Sequence, residues 1–259
     1  MTLENILWKV EDGVGVATFN RPKVLNALDA RTVDELSAVV AEVEAGAARA
    51  LVLTGGGEKA FVAGADIAAM STMTATEARA FAERMHRVLD RMEALAVPTL
   101  AAVNGFALGG GCEVALACDL VYAGERARFG QPEVNLGLVP GFGGSQRLAR
   151  RVGSMAAMEL VLTGDPIDAA RARELGLVLA VLPPEQLLPH VLGQARKIAS
   201  RGPVAVAQAK RLVRVGLDGP LSTGNELERQ AFSAVFATED AREGMRAFLE
   251  KRPAQFQGR

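Results

Sequence analysis

A run of glycines and a pair of glutamates are the residues of this sequence whose types and spacing suit acyl chemistry. Gly109, Gly110 and Gly111 lead into the apolar residues 114–117, which predict a short buried helix with Glu113 in its first turn. Glycines at a helix start leave backbone N–H groups open to a ligand, and the helix dipole favours a developing oxyanion there. A carboxylate beside such donors can move a proton while the donors stabilise an enolate.

A second segment of small residues and a second glutamate complete the candidate site. An oxyanion hole needs two N–H groups that converge on one oxygen, and Ala65 and Gly110 form such a pair if the fold brings them together. Glu133, which follows Pro132, would be the second carboxyl group, so that one activates water while the other delivers a proton. Apolar surroundings would raise at least one glutamate pKa and keep a proton available near pH 7. The apolar neighbours expected there are Phe106, Leu108, Val114 and Leu136.

Each feature taken singly also has a purely structural explanation. Glycines before a helix commonly allow tight packing. A glutamate in the first turn of a helix compensates the helix dipole, and a Pro-Glu pair is an ordinary helix start. Residues 63–65 would equally suit a close crossing of two backbones. A functional interpretation therefore depends on the motifs occurring together.

Composition excludes several other classes of protein. The chain has 259 residues, 49% of them hydrophobic and 23% charged, with a formal net charge of -1. This balance provides no basic surface for nucleic acid or for an acidic membrane. Cys112 and Cys118 are expected to be buried thiols in a reducing compartment, and they lack metal-ligand spacing. With no signal peptide and no uninterrupted apolar span, we expect a soluble cytoplasmic protein without a metal.

Hydrophobic periodicity and turn residues predict an α/β core followed by helices. Asp12-Gly13 joins two β-rich runs, and Ser154, Asp168 and Gly176 are expected to cap helices. Residues 61–67 are expected to be irregular. The predicted strands are 6–11, 14–19, 50–53, 99–103, 120–123 and 178–182, and the main predicted helices are 32–45, 76–95, 185–201, 203–216, 221–237 and 239–251. We place the α/β core at 1–195 and the α-helical region at 196–259.

The motifs in order resemble the signature blocks of the crotonase superfamily, and enoyl-CoA hydratases in particular. The blocks are 20–22 (Asn-Arg-Pro), 61–67 (Phe-x-Ala-Gly-Ala-Asp-Ile), 104–113 (Asn-Gly-x-Ala-x-Gly-Gly-Gly-x-Glu), 129–133 (Phe-Gly-Gln-Pro-Glu) and 140–144 (Pro-Gly-x-Gly-Gly). Residues 236–245 and 248–252 resemble the family's C-terminal end. The resemblance covers essentially the whole chain, and its glycine and glutamate spacings are specific.

The resemblance implies a fold of repeated ββα turns that form a spiral, with an α-helical C-terminal region used in trimer formation. It implies a homotrimer or a homohexamer built from two trimers. The implied reaction is syn hydration of a trans-2-enoyl-CoA to the 3-hydroxyacyl-CoA, as in fatty acid β-oxidation. No cofactor is implied, because coenzyme A arrives as part of the substrate.

The resemblance also implies roles for individual residues. Ala65 and Gly110 match the oxyanion-hole donors, and Glu113 and Glu133 match the two catalytic glutamates that hold the water. The positions that match the acyl-CoA site are Lys23, Leu25, Ala63, Asp66, Ile67, Ala68, Gly141, Phe232 and Lys251. The last two are often contributed by a neighbouring subunit. Ala68 stands where close relatives often carry lysine, so a phosphate contact is expected to be lost.

Three alternatives remain open at this point. A Δ3-Δ2 enoyl-CoA isomerase on the same fold generally needs only the glutamate that matches Glu133, so the presence of Glu113 favours hydration. Dehalogenase-like members need a histidine beside an aspartate, whereas His86 and His190 are expected at the surface. A non-catalytic crotonase-like protein that binds RNA or assembles complexes is disfavoured by the intact glutamates and the absence of a basic stripe.

Overall fold

The computed structural model describes residues 3–259 and contains two β-sheets surrounded by helices. The larger sheet has six strands in the order β1-β2-β3-β5-β7-β10. All neighbours in it are parallel except the β1–β2 hairpin. Its strands are β1 (Ile6–Glu11), β2 (Val14–Phe19), β3 (Ala50–Gly55), β5 (Thr99–Val103), β7 (Leu120–Gly124) and β10 (Ala180–Leu182).

The smaller sheet lies beside the candidate site and has four very short strands in the order β4-β6-β8-β9. β4, β6 and β8 run parallel, and β9 is antiparallel to β8. The strands are β4 (Ala60–Val62), β6 (Phe106–Leu108), β8 (Arg128–Gly130) and β9 (Ile167–Asp168). Each of β4, β6 and β8 follows a strand of the larger sheet or its turn, so the chain passes repeatedly from one sheet to the other.

Eleven α-helices cover the sheets within the described residues 3–259. They are α1 (Ala30–Glu44), α2 (Ile67–Met70), α3 (Ala75–Ala94), α4 (Gly110–Ala117), α5 (Gly144–Val152), α6 (Ser154–Thr163), α7 (Ala169–Glu174), α8 (Pro184–Ala199), α9 (Pro203–Gly216), α10 (Leu221–Val235) and α11 (Glu239–Leu249). Two 3-10 turns, Pro22–Val24 and Pro132–Leu136, begin at prolines, whose fixed φ suits the first helical position.

The larger sheet is buried on both faces, which explains the continuous apolar runs of its central strands. On one face, alternate residues such as Val52 and Leu100 pack against the buried stripe of α8, which includes Leu187 and Val191. On the other face, residues such as Leu53 pack in the main core with α1, α3 and α4. The fold thereby holds α4 in the interior, where all eight of its residues are buried.

Most sequence-based element predictions are confirmed. The β1–β2 hairpin turns at Asp12 and Gly13 with φ of 51° and 74°, both positive as a two-residue turn of this kind requires. Asp168 caps α7 by accepting from the Arg171 N–H at 2.8 Å. Gly176 follows that helix with φ of 75°. Cys112 and Cys118 are free and buried, and burial raises the pKa of both thiols to about 12.

Three predictions are wrong. Residues 60–62 form β4 and 67–70 form α2, where an irregular segment was expected. Gly153, not Ser154, is the N-cap of α6, so the serine hydroxyl makes no capping bond. The last strand begins at Ala180 rather than at residue 178, because Leu177 and Val178 form the buried turn after α7.

The predicted boundary at residue 195 falls inside α8. That helix runs from Pro184 to Ala199 and buries Ala195 and Ala199 against the larger sheet. The division into two units stays a prediction. Within residues 3–259, no helix is long and apolar enough to cross a membrane.

Candidate active site

The start of α4 is built from glycines because other residues cannot occupy it. Gly109 is the N-cap with φ of +47°, a conformation that side chains disfavour, and its N–H donates to the Gly130 carbonyl of β8 at 2.9 Å. A Cβ at Gly111 would collide with the Val62 carbonyl oxygen of β4. A Cβ at Gly110 would lie 2.9 Å from the Phe142 ring. The three glycines therefore allow β4, β8 and the loop before α5 to close around one helix end.

Ala65 and Gly110 follow two neighbouring parallel strands of the small sheet. β4 and β6 pair with Val62 opposite Ala107, and a Cβ at Gly64 would be 3.5 Å from the Leu108 carbonyl. Ala65 and Gly110 each lie three residues beyond this pair, and the two parallel segments continue in the same direction, so Ala65 comes towards the first turn of α4. Leu28 lies between the two, since it forms a parallel bridge with Ala65 and its Cδ1 lies near Gly110.

Both N–H groups are left without an acceptor. The bridge to Leu28 uses the Gly64 carbonyl and the Asp66 N–H, so the Ala65 N–H points away from it. Gly110 is the first residue of α4, where an N–H has no partner within its helix. Within residues 3–259 neither N–H donates to a protein acceptor. Such a pair of unused donors at a helix start suits an oxyanion.

Glu113 is buried and held by two backbone donors. Its side chain is 1% exposed, and its Oε1 accepts from the N–H groups of Phe142 and Gly144, each at 2.7 Å. Burial raises the pKa of this carboxyl to about 7, although the two donors oppose the rise. Because both donors bind Oε1, the other carboxyl oxygen stays available for a ligand.

Glu133 lies in the 3-10 turn Pro132–Leu136, close to the first glycine of α4. A Cβ at Gly109 would be 2.8 Å from its Oε1, which places this carboxyl beside the residue that precedes the Gly110 donor. Burial raises the pKa of Glu133 as well. With the Gln131 amide oriented to satisfy its partners, the amide nitrogen donates to both Glu133 oxygens at 3.2 and 3.0 Å.

The predicted rise in glutamate pKa is confirmed, and burial is its largest cause for both carboxyl groups. Of the expected apolar neighbours, Phe106 and Leu136 are 38% and 57% exposed in the single chain. Val114 is buried, and Phe142 closes the site over Gly110. The negative charge of Glu133 raises the pKa of Glu113 further, so the two carboxyl groups titrate as a pair.

Six of the residues predicted to contact acyl-CoA lie together on two adjoining segments. The Leu25 carbonyl accepts from the Ala63 N–H at 3.0 Å, which joins the 3-10 turn Pro22–Val24 to the segment after β4. Asp66 caps α2 and forms an ion pair with Arg21 at 3.2 Å. The other members of this group are Lys23, Ile67 and Ala68, all of them exposed.

The remaining three predicted contacts are placed differently. Gly141 is exposed in the loop before α5, one residue from Phe142. Phe232 is 66% exposed on α10, where its ring packs on Phe236 with centroids 5.0 Å apart. Lys251 follows α11 with φ of 55°. Within residues 3–259, no hydrogen bond or ion pair links Phe232 or Lys251 to the two glutamates.

Three polar residues that support the site were missed by sequence reasoning. Gln131 is fully buried beside Glu133. Asn26 is also buried and donates to the Gly56 and Ala60 carbonyls at 3.0 and 2.9 Å, which fixes the loop that carries Leu25. Arg147 contacts the Phe142 carbonyl at 2.7 Å. The partners of Asn26, and the Glu93 carboxylate that anchors Arg147, are distant in sequence, so no local pattern reveals these contacts. Gln131 lies two residues from Glu133, within the block at 129–133.

The candidate reacting groups of the site are two carboxyl groups and two backbone donors. Among residues 3–259 there is no cluster of three or more histidine, cysteine, aspartate or glutamate side chains placed to hold a metal ion. His86 and His190 are half-buried, the latter against Tyr122 with ring centroids 5.2 Å apart. Both histidines were expected at the surface, and this expectation is only partly met.

A fold of two interleaved sheets with paired glutamates beside an unused pair of N–H donors defines a site for acyl chemistry. The model of the enoyl-CoA hydratase/isomerase family matches residues 9–259. The chain belongs to this family.

Individual relatives agree with this assignment over nearly their whole lengths. A crotonyl-CoA hydratase from Syntrophomonas wolfei is 48% identical over 99% of both chains. A short-chain-enoyl-CoA hydratase from Clostridium acetobutylicum is 47% identical over 97% of both. The crystal structure of an enoyl-CoA hydratase from Bacillus anthracis, 39% identical, superposes with a TM-score of 0.96 over 99% of this chain and 100% of that one.

Proposed function

We propose that this protein is an enoyl-CoA hydratase that adds water in syn fashion to a trans-2-enoyl-CoA and gives the 3-hydroxyacyl-CoA. The observation that carries the proposal is the pair of carboxyl groups, Glu113 and Glu133, beside the unused N–H groups of Ala65 and Gly110. The names of the relatives support it. The reverse dehydration uses the same groups.

The proposed mechanism assigns one task to each half of the site. The N–H groups of Ala65 and Gly110 polarise the thioester carbonyl and take up the enolate charge, each contributing about 3 kcal/mol. Glu113, fixed through Oε1, orients the water and accepts its proton as the oxygen attacks C3. Glu133 is the principal acid/base and delivers a proton to C2. A pKa of about 7 allows Glu113 to exchange a proton near neutral pH.

The proposed substrate is a short-chain acyl-CoA thioester, in line with the crotonyl-CoA and short-chain activities in the names of the two relatives. The two joined segments around Leu25 and Ala63 would grip the coenzyme A portion. Met70 and Met73, half-buried against the core, would adapt to the acyl chain. No cofactor beyond the substrate's own coenzyme A is proposed.

The proposed assembly is a homotrimer or a homohexamer of ββα-spiral subunits. The exposed Phe232 and Lys251, far along the chain from the glutamates, would then reach a neighbouring subunit's coenzyme A site. Their exposure in the single chain supports this arrangement. A cytoplasmic location is proposed from the two free thiols.

The principal rival is a Δ3-Δ2 enoyl-CoA isomerase, which the family's name also covers. An isomerase needs one group that moves a proton and no attacking water. The buried and tightly held carboxyl group of Glu113 would therefore have no role in isomerisation. A non-catalytic RNA-binding or scaffold role would leave both carboxyl groups without a task. The cost of burying two carboxyl groups close together argues against keeping them without a catalytic function.

The test follows the loss of enoyl-thioester absorbance of crotonyl-CoA for wild type, Glu113→Gln and Glu133→Gln. A Glu11→Gln variant is the matched control, since Glu11 is exposed on the edge strand β1. We expect at least a hundredfold loss of kcat in both site variants and none in the control. Isomerisation of a 3-enoyl-CoA by a wild type that does not hydrate crotonyl-CoA would refute the assignment. RNA binding at near-physiological salt without turnover would support the scaffold role instead.

A further inference from the structure

Glu113 owes its position to a turn rather than to its own helix. The two N–H groups that hold its Oε1 belong to Phe142 and Gly144, in the loop that enters α5. A loop of this kind, with glycines at 141, 143 and 144, does not keep its conformation unaided. Whatever fixes this turn therefore fixes the carboxylate.

Arg147 is the side chain that fixes the turn. Its Nη1 donates to the Phe142 carbonyl at 2.7 Å, on the same residue whose N–H holds Glu113. The guanidinium is 13% exposed and is itself anchored by Glu93, through two bonds of 3.1 and 2.8 Å, and by Asp90 at 2.8 Å. The turn is shaped around it, since a Cβ at Gly143 would collide with Nη1.

The anchor of Arg147 continues into the C-terminal helices. Glu93 of α3 also accepts from Arg214 of α9 at 3.0 Å. Arg214 in turn pairs with Asp119 at 2.7 Å and donates to the Ala117 carbonyl at the end of α4 at 2.9 Å. A single charged network thus joins both ends of the helix that carries Glu113.

We propose that Arg147 is a positioning residue for Glu113, which holds the 142–144 turn in the conformation that presents two N–H groups to the carboxylate. This role rests on the proposed function, in which Glu113 must be ionised to accept a proton from water. Arg147 does not reach the substrate in this scheme and acts on Glu113 through the turn and through its positive charge.

Loss of Arg147 is expected to raise the pKa of Glu113. The turn's N–H groups and the arginine's positive charge both favour the carboxylate, so removing them raises its pKa. The other groups that face Glu113 are Glu133, whose negative charge acts oppositely, and the buried Cys112 thiol. His86 of α3 also lies beside the turn, 3.3 Å from a Cβ built on Gly143.

The experiment compares pH profiles of kcat for hydration of crotonyl-CoA in wild type and Arg147→Gln. We expect the acid limb to move to higher pH by about one unit, which lowers kcat at pH 6 about tenfold, while KM changes less than about twofold. The fold should survive, because Glu93 keeps Arg214 and Asp90 is exposed. Should Arg147→Gln fail to fold, Arg147→Met keeps the apolar stem and tests the same point.

Two neighbours on α5 provide matched controls. Arg150→Gln makes the same charge change at an exposed position whose side chain, within residues 3–259, hydrogen-bonds only to Gln146, and it should leave the profile unchanged. Arg151→Gln removes the bonds to the Leu116 and Cys118 carbonyls at 3.2 and 2.8 Å, so it should lower stability without moving the acid limb.

The outcomes separate the two proposals. An unmoved acid limb in Arg147→Gln, or an equal shift in Arg151→Gln, would overturn the positioning role while hydration itself stands. A wild type that does not hydrate crotonyl-CoA would overturn the function first. The shift should also persist in a His86→Gln background, and its disappearance there would assign the limb to the histidine and overturn the role.

Discussion

Replacing Glu113 with glutamine is expected to stabilise the folded protein at alkaline pH while abolishing its activity. The glutamine carbonyl oxygen can still accept from the Phe142 and Gly144 N–H groups, so the packing and both hydrogen bonds survive. What disappears is the cost of placing a negative charge at a site that is 1% exposed, beside a second carboxyl group.

The sign follows from comparing the two pKa values. The folded-state pKa of about 7 is higher than the ordinary value of 4.5, so between these values the folded protein binds the proton more tightly than the unfolded chain does. Wild-type stability therefore falls as pH rises from about 4.5 to about 7 and stays lower above it. At about 1.4 kcal/mol for each pH unit between the two values, ionisation of Glu113 costs the fold about 3 kcal/mol.

The assay is urea denaturation of wild type and Glu113→Gln at pH 5 and pH 8, at one protein concentration. The two proteins should be nearly equal in unfolding free energy at pH 5, and the variant should be more stable by about 2–3 kcal/mol at pH 8. Glu11→Gln, exposed on β1, should show no such dependence. A stability difference that is the same at both pH values would refute the reasoning, because it would mean that Glu113 ionises in the fold at no cost.

Three further predictions follow from the packing. Gly111→Ala should lower the unfolding free energy by about 3 kcal/mol and abolish hydration, because the added methyl group would collide with the Val62 carbonyl; wild-type behaviour in denaturation and assay would contradict this. Gly193→Ala, inside α8 with open space around it, should raise the unfolding free energy by about 0.5–1 kcal/mol and with it the melting temperature. A lower melting temperature would contradict the open space seen around this position. Arg214→Met should lower the unfolding free energy by about 2–3 kcal/mol, because Asp119 loses its closest cation. An unchanged denaturation midpoint would show that the pair does not contribute to stability.

The larger sheet was predictable because burial on both faces requires long apolar runs. β3 and β5 are such runs, bounded by glycine or proline, and they appear where the sequence predicts them. The smaller sheet was not predictable on the same grounds. Its strands have two or three residues, and β8 reads Arg-Phe-Gly, too short for any periodicity. These residues are strands only because they pair with segments that are distant in the sequence.

Some residues of the candidate site could likewise be predicted from the sequence and others could not. Glu113, Glu133 and the glycines could be predicted as candidate site residues, because that hypothesis depends on residue type at a fixed local spacing. Asn26 and Arg147 could not, because the tertiary fold supplies their partners: Asn26 donates to the Ala60 carbonyl and Arg147 is anchored by Glu93 of α3. Local pattern thus indicates the candidate reacting groups, and tertiary contacts shift their pKa values.

The pKa of Glu113 illustrates this balance. Burial in α4 raises it, and the N–H groups of Gly144 and Phe142 lower it, so the pKa of about 7 reflects opposing effects. Those donors are backbone N–H groups, which no substitution other than proline removes directly. The adjustable element is therefore the side chain that holds the turn. We therefore expect a substitution of Arg147 to shift the pH dependence of hydration while leaving both glutamates and the N–H groups of Ala65 and Gly110 in place.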